Sequence, residues 1–170
     1  MQAAASFSAG AESFLITYAG LTADFWREAL ASPAGAGPTA AAINALITSD
    51  QDGLSQAGQM LRGRRKNRPA GPVWVAAATE LLPSWLGSTL PFSQVHGHTS
   101  VYDRQHRRFR ARPEIVRRTT VDPQAKHART HLDGGRIVGV DPGHGRDAQP
   151  PWRAWEITLT DSPSRTHPHV

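Results

Sequence analysis

The sequence predicts an α/β fold in which helices follow the first strand and a mostly antiparallel or mixed sheet closes the chain. Three observations carry that expectation. Phe14-Leu15-Ile16-Thr17-Tyr18 is an apolar, β-branched run stopped by Ala19-Gly20, the pattern of a buried strand meeting a tight loop. Stretches with helical spacing come next. The last third is then a series of short strand-like runs separated by the turn signals Asp133-Gly134-Gly135 and Asp141-Pro142-Gly143.

Taken in order, residues 1–11 are small and Ala-rich and read as the tail of a helix. Past the first strand, Thr22 is placed to cap a helix from Ala23 to Leu30, with Phe25, Trp26 and Leu30 on its apolar side. Ser32 to Pro38 is a Gly/Pro loop. A second helix opens at Pro38 or Thr39 and runs through Ile47, with Ala42, Ile43 and Leu46 on one stripe. A third helix is expected from about Leu54 to Leu61, ending in the basic loop Arg62-Gly63-Arg64-Arg65-Lys66-Asn67-Arg68. After Gly71-Pro72, Val73-Trp74-Val75 leads into a helical stretch, Ala76 to Leu82, which Pro83 and Gly87 break up. Phe92 to His96 is a second strand candidate running into Gly97-His98-Thr99. Tyr102 to Arg118 is dense in arginine and reads as a solvated hairpin. Further strands are expected around Thr130–Leu132, Arg136–Val140 and Trp152–Leu159, and residues 161–170 read as a flexible tail.

A chain of 170 residues fits one domain. The absence of cysteine excludes a disulfide framework, thiolate zinc sites and Cys nucleophiles together. The net charge of +5 suits an enzyme with a phosphate-bearing substrate as well as a nucleic-acid binder. No apolar run approaches the roughly 20 residues that span a bilayer. The opening stretch carries Glu12 and no basic n-region of a signal peptide. A cytoplasmic protein is therefore expected.

Gln94-Val95-His96-Gly97-His98-Thr99 holds the candidate chemistry. His96 and His98 are two apart, so on an extended chain both point to the same side. Neutral imidazole is a strong metal ligand, which makes both candidate ligands. The same residues serve equally as a strand end with two hydrogen-bonded histidines. The glycines from Gly134 to Gly145 form neither a dinucleotide fingerprint, since no helix follows, nor a P-loop, since Gly-Lys-Ser/Thr is missing. Asp141-Pro142-Gly143-His144 reads as a Pro-Gly turn rather than a metal or acid/base pair.

Tyr18-Ala19-Gly20-Leu21, Gly97-His98-Thr99 and Leu132-Asp133-Gly134-Gly135, in that order, resemble the C-terminal half of the calcineurin-like metallophosphoesterases, close to the branch of phosphoprotein phosphatases and dinucleoside tetraphosphatases. Gly71-Pro72-Val73-Trp74 and Leu82-Pro83-Ser84-Trp85 are similar to segments of bacterial members. The resemblance spans roughly residues 12–160. It implies a partial domain over residues 1–160: the C-terminal half of a four-layer α/β/β/α sandwich. The implied activity is phosphoester hydrolysis by a metal-activated hydroxide, with two divalent ions of manganese or iron type. It makes His98 a metal ligand, with His96 helping. It puts Tyr18 where the family has a histidine ligand, and sets Arg62 and Arg64 in a loop on the substrate side.

The departures shape the expectation further. Asp-x-His, Gly-Asp-x-x-Asp and Gly-Asn-His, which supply the family's other ligands, do not occur in the 170 residues. At most one weakly bound ion and no activity of the chain alone are then expected. So is a bare inner sheet face, open to self-association or to a missing N-terminal half. A second reading is a non-catalytic phosphate- or nucleic-acid-binding module using Arg104, Arg107, Arg108, Arg110, Arg112, Arg117 and Arg118. With only Tyr102 and Phe109 beside these arginines, base stacking has little to work with, so nucleic acid is disfavoured.

Overall fold

A computed structural model describes residues 2–58, 70–141 and 152–157. The chain opens not as a helix tail but as strand β1 (Ala4–Ala9), which turns at Gly10 into β2 (Glu12–Thr17). The two pair antiparallel from Ala4↔Thr17 to Ala9↔Glu12, and Phe7 stacks on Phe14 with ring centroids 4.9 Å apart. The Asn44 side chain clamps the strand, accepting from Ala4 N at 3.0 Å and donating to Ala4 O at 2.8 Å. Ladder pairing and this clamp override the helix preference of alanine.

Thr22 caps α1 (Ala23–Glu28), its hydroxyl accepting from Phe25 N at 3.2 Å. The helix stops short of Leu30, and the chain turns through Ala31 and Ser32 at φ 56° and 55°. Helix α2 (Ala36–Ser49) starts ahead of Pro38, with Gly35 as its cap. Pro38 is tolerated there because first-turn N–H groups have no intrahelical acceptor. Helix α3 is Gln51–Leu54, capped by Asp50, whose carboxylate accepts from Gly53 N at 2.9 Å. The helix expected from Leu54 to Leu61 therefore ends where it was to begin, and the basic loop Arg62–Arg68 lies outside the described residues. The stretch around Ala76 forms a wide π-type turn, Ala77–Leu81, in which Leu81 N reaches back to Ala76 O at 3.0 Å, and continues into α4 (Leu82–Ser84).

Strand β3 (Ser93–His96) is followed by a small hairpin, β4 (Tyr102–Asp103) with β5 (Arg108–Phe109), and by α5 (Pro113–Val116). Then come β6 (Thr119–Asp122), which no sequence signal suggested, β7 (His127–Leu132) and β8 (Gly135–Gly139). The β7–β8 turn falls on Asp133-Gly134 as expected, with Gly134 at φ 86°. Six strands make one mixed sheet in the order β1-β2-β3-β8-β7-β6. Its centre is parallel, β2 with β3 and β3 with β8, and its flanks are antiparallel.

Leu15, Gln94 and Ile137, aligned across the central strands, face the helices. There they join a core containing Leu21, Phe25, Ile43, Leu81 and Trp85. On the other face Phe14, Val95 and Val138 are buried in turn. Trp155 and Ile157 of segment 152–157 cover them, the Trp155 ring meeting Phe14 edge-on at 5.4 Å. His127 Nε2 to Arg153 O at 2.7 Å and Trp152 Nε1 to Val140 O at 3.2 Å tie the segment down. The face expected to lie bare is thus covered at its centre. Ile16, at 38% exposure, is its one large apolar side chain left open among the described residues. Segment 152–157 is not a strand, and residues 158–170 lie outside the described residues. No described helix is long and apolar enough to cross a membrane.

Candidate functional site

Because β2, β3 and β8 are parallel, all three end on one rim, the usual place for ligands in such sheets. The loop leaving β2 is rigidly built. Thr17 Oγ1 accepts from Gly20 N at 2.9 Å, and Pro72 O accepts from Ala19 N at 2.8 Å. The buried Gln94 amide takes both backbone groups of Leu21, at 2.9 and 3.1 Å, and Trp85 Nε1 adds a bond to Leu21 O at 2.8 Å. Gly20 sits at φ 103°, and a Cβ there would lie 2.3 Å from Leu81 Cδ2, so only glycine fits. Tyr18 projects from this loop at 57% exposure.

Beside it, Gly97 N donates to Tyr18 O at 2.9 Å, and the chain then makes a tight three-residue turn, Thr99 N to Gly97 O at 2.7 Å. His98 occupies the centre of that turn at φ 61°. The left-handed backbone falls on the histidine, not on the adjacent glycine, and costs on the order of 1–3 kcal/mol at such a residue. The imidazole packs against Tyr18 at 5.0 Å and meets Trp74 edge-on at 5.5 Å. Its Nε2 is buried and has no hydrogen-bond partner among the described residues. Thr99 Oγ1 accepts from Ala77 N at 2.8 Å and fixes the far side of the turn.

His96 has a different setting. It is buried within the sheet, with Nδ1 at 2.9 Å from Gly97 O and Nε2 against Gly139, where a Cβ would lie 3.2 Å away. The extended run that would set both histidines on one side ends at His96. Sequence alternation therefore does not carry over to His98. Burial pushes both imidazoles below the usual histidine range, and the Asp141 charge acts in the opposite direction on each. Both rings are neutral at neutral pH, the form that ligates.

Of the residues singled out in the sequence, the fold brings Tyr18 and His98 into contact and sets His96 behind them. Arg62, Arg64 and His144 lie outside the described residues. Trp74, read from the sequence only as part of a family-like segment, lies against the His98 ring, a contact set by the tertiary fold and not by any local pattern. Part of the arginine-rich stretch is engaged by the fold. Arg110 pairs with Asp103 at 3.0 Å, Arg104 donates to Lys126 O at 2.5 Å, and Arg118 reaches Asp133 at 3.5 Å. Arg107, Arg108, Arg112 and Arg117 are exposed.

The described residues contain no group of three His, Cys, Asp or Glu side chains able to hold a metal ion. A pair of close dications needs several anionic ligands to offset its repulsion. The residues present do not fit such a pair. No family model, no curated protein and no solved structure matches the chain.

Proposed function

We propose that the chain is the C-terminal half of a calcineurin-like metallophosphoesterase domain, a half of its four-layer sandwich, and does not hydrolyse phosphoesters by itself. One observation carries this reading. A histidine at the exit of one parallel strand packs on the residue that ends the neighbouring parallel strand, as Gly97-His98-Thr99 on Tyr18-Ala19-Gly20-Leu21. The resemblance calls for that juxtaposition.

His98 offers a neutral imidazole nitrogen at the rim, while Tyr18 offers a phenol where the family offers imidazole. Weak binding of a single ion follows, and phosphoryl transfer through a two-ion clamp does not. The test is hydrolysis of an aryl phosphate by the purified chain with excess manganese. Rates indistinguishable from a protein-free control are expected; sustained turnover would refute the reading.

A further inference from the structure

We propose that two copies of the chain pair edge to edge through β1 (Ala4–Ala9), antiparallel about a twofold axis at Phe7, so that their sheets join into one. This pairing holds whether or not the chain is part of a phosphoesterase. It follows first from a difference between the two edges of the sheet. At one edge, β6 (Thr119–Asp122) is short, ends in Asp122 and follows Arg117-Arg118. Charges of that kind keep an exposed strand from pairing with another chain. At the other edge, β1 carries neither charge nor proline, and Ala5, Ser6 and Ser8 are exposed.

Asn44 reveals the direction of the backbone groups. Its side chain accepts from Ala4 N at 3.0 Å and donates to Ala4 O at 2.8 Å, so both groups of Ala4 point away from β2. Alternation gives Ser6 and Ser8 the same outward direction, and no described strand lies beyond them. An antiparallel copy centred on Phe7 sets Ser6 opposite the second copy's Ser8, and Ser8 opposite its Ser6. Each such pair exchanges both N–H···O bonds. Ala4 needs no partner in the second copy, because Asn44 already fills that place.

Side chains fit the same register. Phe7 shares a sheet face with Phe14, stacks on its ring at 4.9 Å and is half-buried. On the axis it meets its own copy as a non-hydrogen-bonded pair, the closer kind, and the aromatic row Trp155–Phe14–Phe7 continues across the interface. On the helix face α2 runs beside the edge: a Cβ at Gly37 would lie 3.8 Å from Ser6 Oγ, and Asn44 reaches Ala4. Gly37, Ala41 and Ala45 are exposed on successive turns, a small-residue side that leaves room for an added strand. No charged side chain occurs before Glu12 or between Ala29 and Ser49. A twofold contact sets each group near its own copy, so a charged surface would repel itself where this one does not. That absence of charge selects a second copy over a partner recognised by charge.

The experiment is sedimentation velocity over a concentration series, on the wild type, Phe7→Lys, Phe7→Glu, an equimolar mixture of those two, and Ser6→Pro. A concentration-dependent dimer is expected for the wild type. Each Phe7 variant alone should raise the dimer dissociation constant at least about tenfold. The mixture should form a mixed dimer at least about tenfold tighter than either variant forms with itself, because position 7 faces its own copy in this register. Ser6→Pro removes an outward N–H but no bond to β2, and should also weaken the dimer at least about tenfold. A wild type that stays monomeric up to about millimolar concentration overturns the pairing and leaves the edge to a strand of another chain. A dimer that Ser6→Pro leaves intact, or a mixture no tighter than its components, places the contact elsewhere and overturns it equally. Far-UV circular dichroism of each variant in dilute solution separates loss of pairing from loss of fold.

Discussion

The rim of the parallel strands and the arginine-rich hairpin differ in a way that their sequences conceal. The hairpin carries more charge and has a buried atom without a hydrogen-bond partner among the described residues in Arg104 Nε, but at its centre a carboxylate gathers several neighbours. Asp103 accepts from His106 N at 3.2 Å, lies 3.2 Å from the His106 ring, and pairs with Arg110 at 3.0 Å. First that backbone N–H and then the Arg110 guanidinium hold its carboxyl far below the usual range. The rim carries fewer ionisable groups, but it combines a left-handed histidine, a buried nitrogen without a partner and a loop held by five hydrogen bonds. A carboxylate already held by a backbone N–H and a guanidinium, as Asp103 is, has little left to offer a ligand. One that keeps strain and an unmet hydrogen bond in place has something to offer.

The comparison can be broken most severely at Gly20. Gly20→Val forces a branched side chain into the space of Leu81 at a left-handed backbone. Urea denaturation should show a loss of about 3 kcal/mol or more. A loss under 1 kcal/mol would mean that the Tyr18 loop is not the rigid platform described.

Lowering the pH should separate the two regions in sequence. His96, His98 and His131 titrate below the unfolded value of 6.5, chiefly through burial. Below that value the unfolded chain binds more protons, so their contribution is present above pH 6.5 and is lost as pH falls through the folded values. Asp103 is also depressed, from an ordinary 3.8, so its contribution survives until pH falls below about that value. Urea midpoints measured from pH 8 to pH 2 should therefore decline in two steps. His96→Gln should flatten the upper step and Asp103→Asn the lower one. A flat profile from pH 7 to pH 5 would contradict the buried neutral imidazoles.

The smallest effect belongs to the exposed arginines. Arg107→Ala and Arg108→Ala should each change stability by no more than about 0.5 kcal/mol. The wild type should show no salt-dependent retention of single-stranded RNA. Clear retention at low salt that falls steeply with added salt would revive the binding-module reading.

Much of this was legible in the residues. Phe14 to Thr17 announced a strand through its apolar, β-branched run, and Asp133-Gly134 announced a hairpin turn because few residues take φ > 0. Thr22 announced a cap. What could not be read depended on partners distant in the chain. Residues 4–9 became a strand because β2 and Asn44 pair with them, despite their alanines. Segment 152–157 covers the second sheet face with no periodicity to signal it. At the candidate site the Gly-His-Thr spacing was visible. The turn that withdraws His98 from strand alternation was not.

The central claim is that His98 is kept in a costly conformation for what its nitrogen can bind. The unfolding free energy of His98→Gly, with and without manganese, tests it most directly. Glycine relieves the left-handed strain and removes the unpartnered nitrogen, while the contacts with Tyr18 and Trp74 are lost. The variant is predicted to be more stable than the wild type by about 1 kcal/mol and indifferent to manganese, which should stabilise the wild type. A variant less stable by a similar amount, with manganese leaving both proteins unchanged, would make His98 a packing residue and contradict the account.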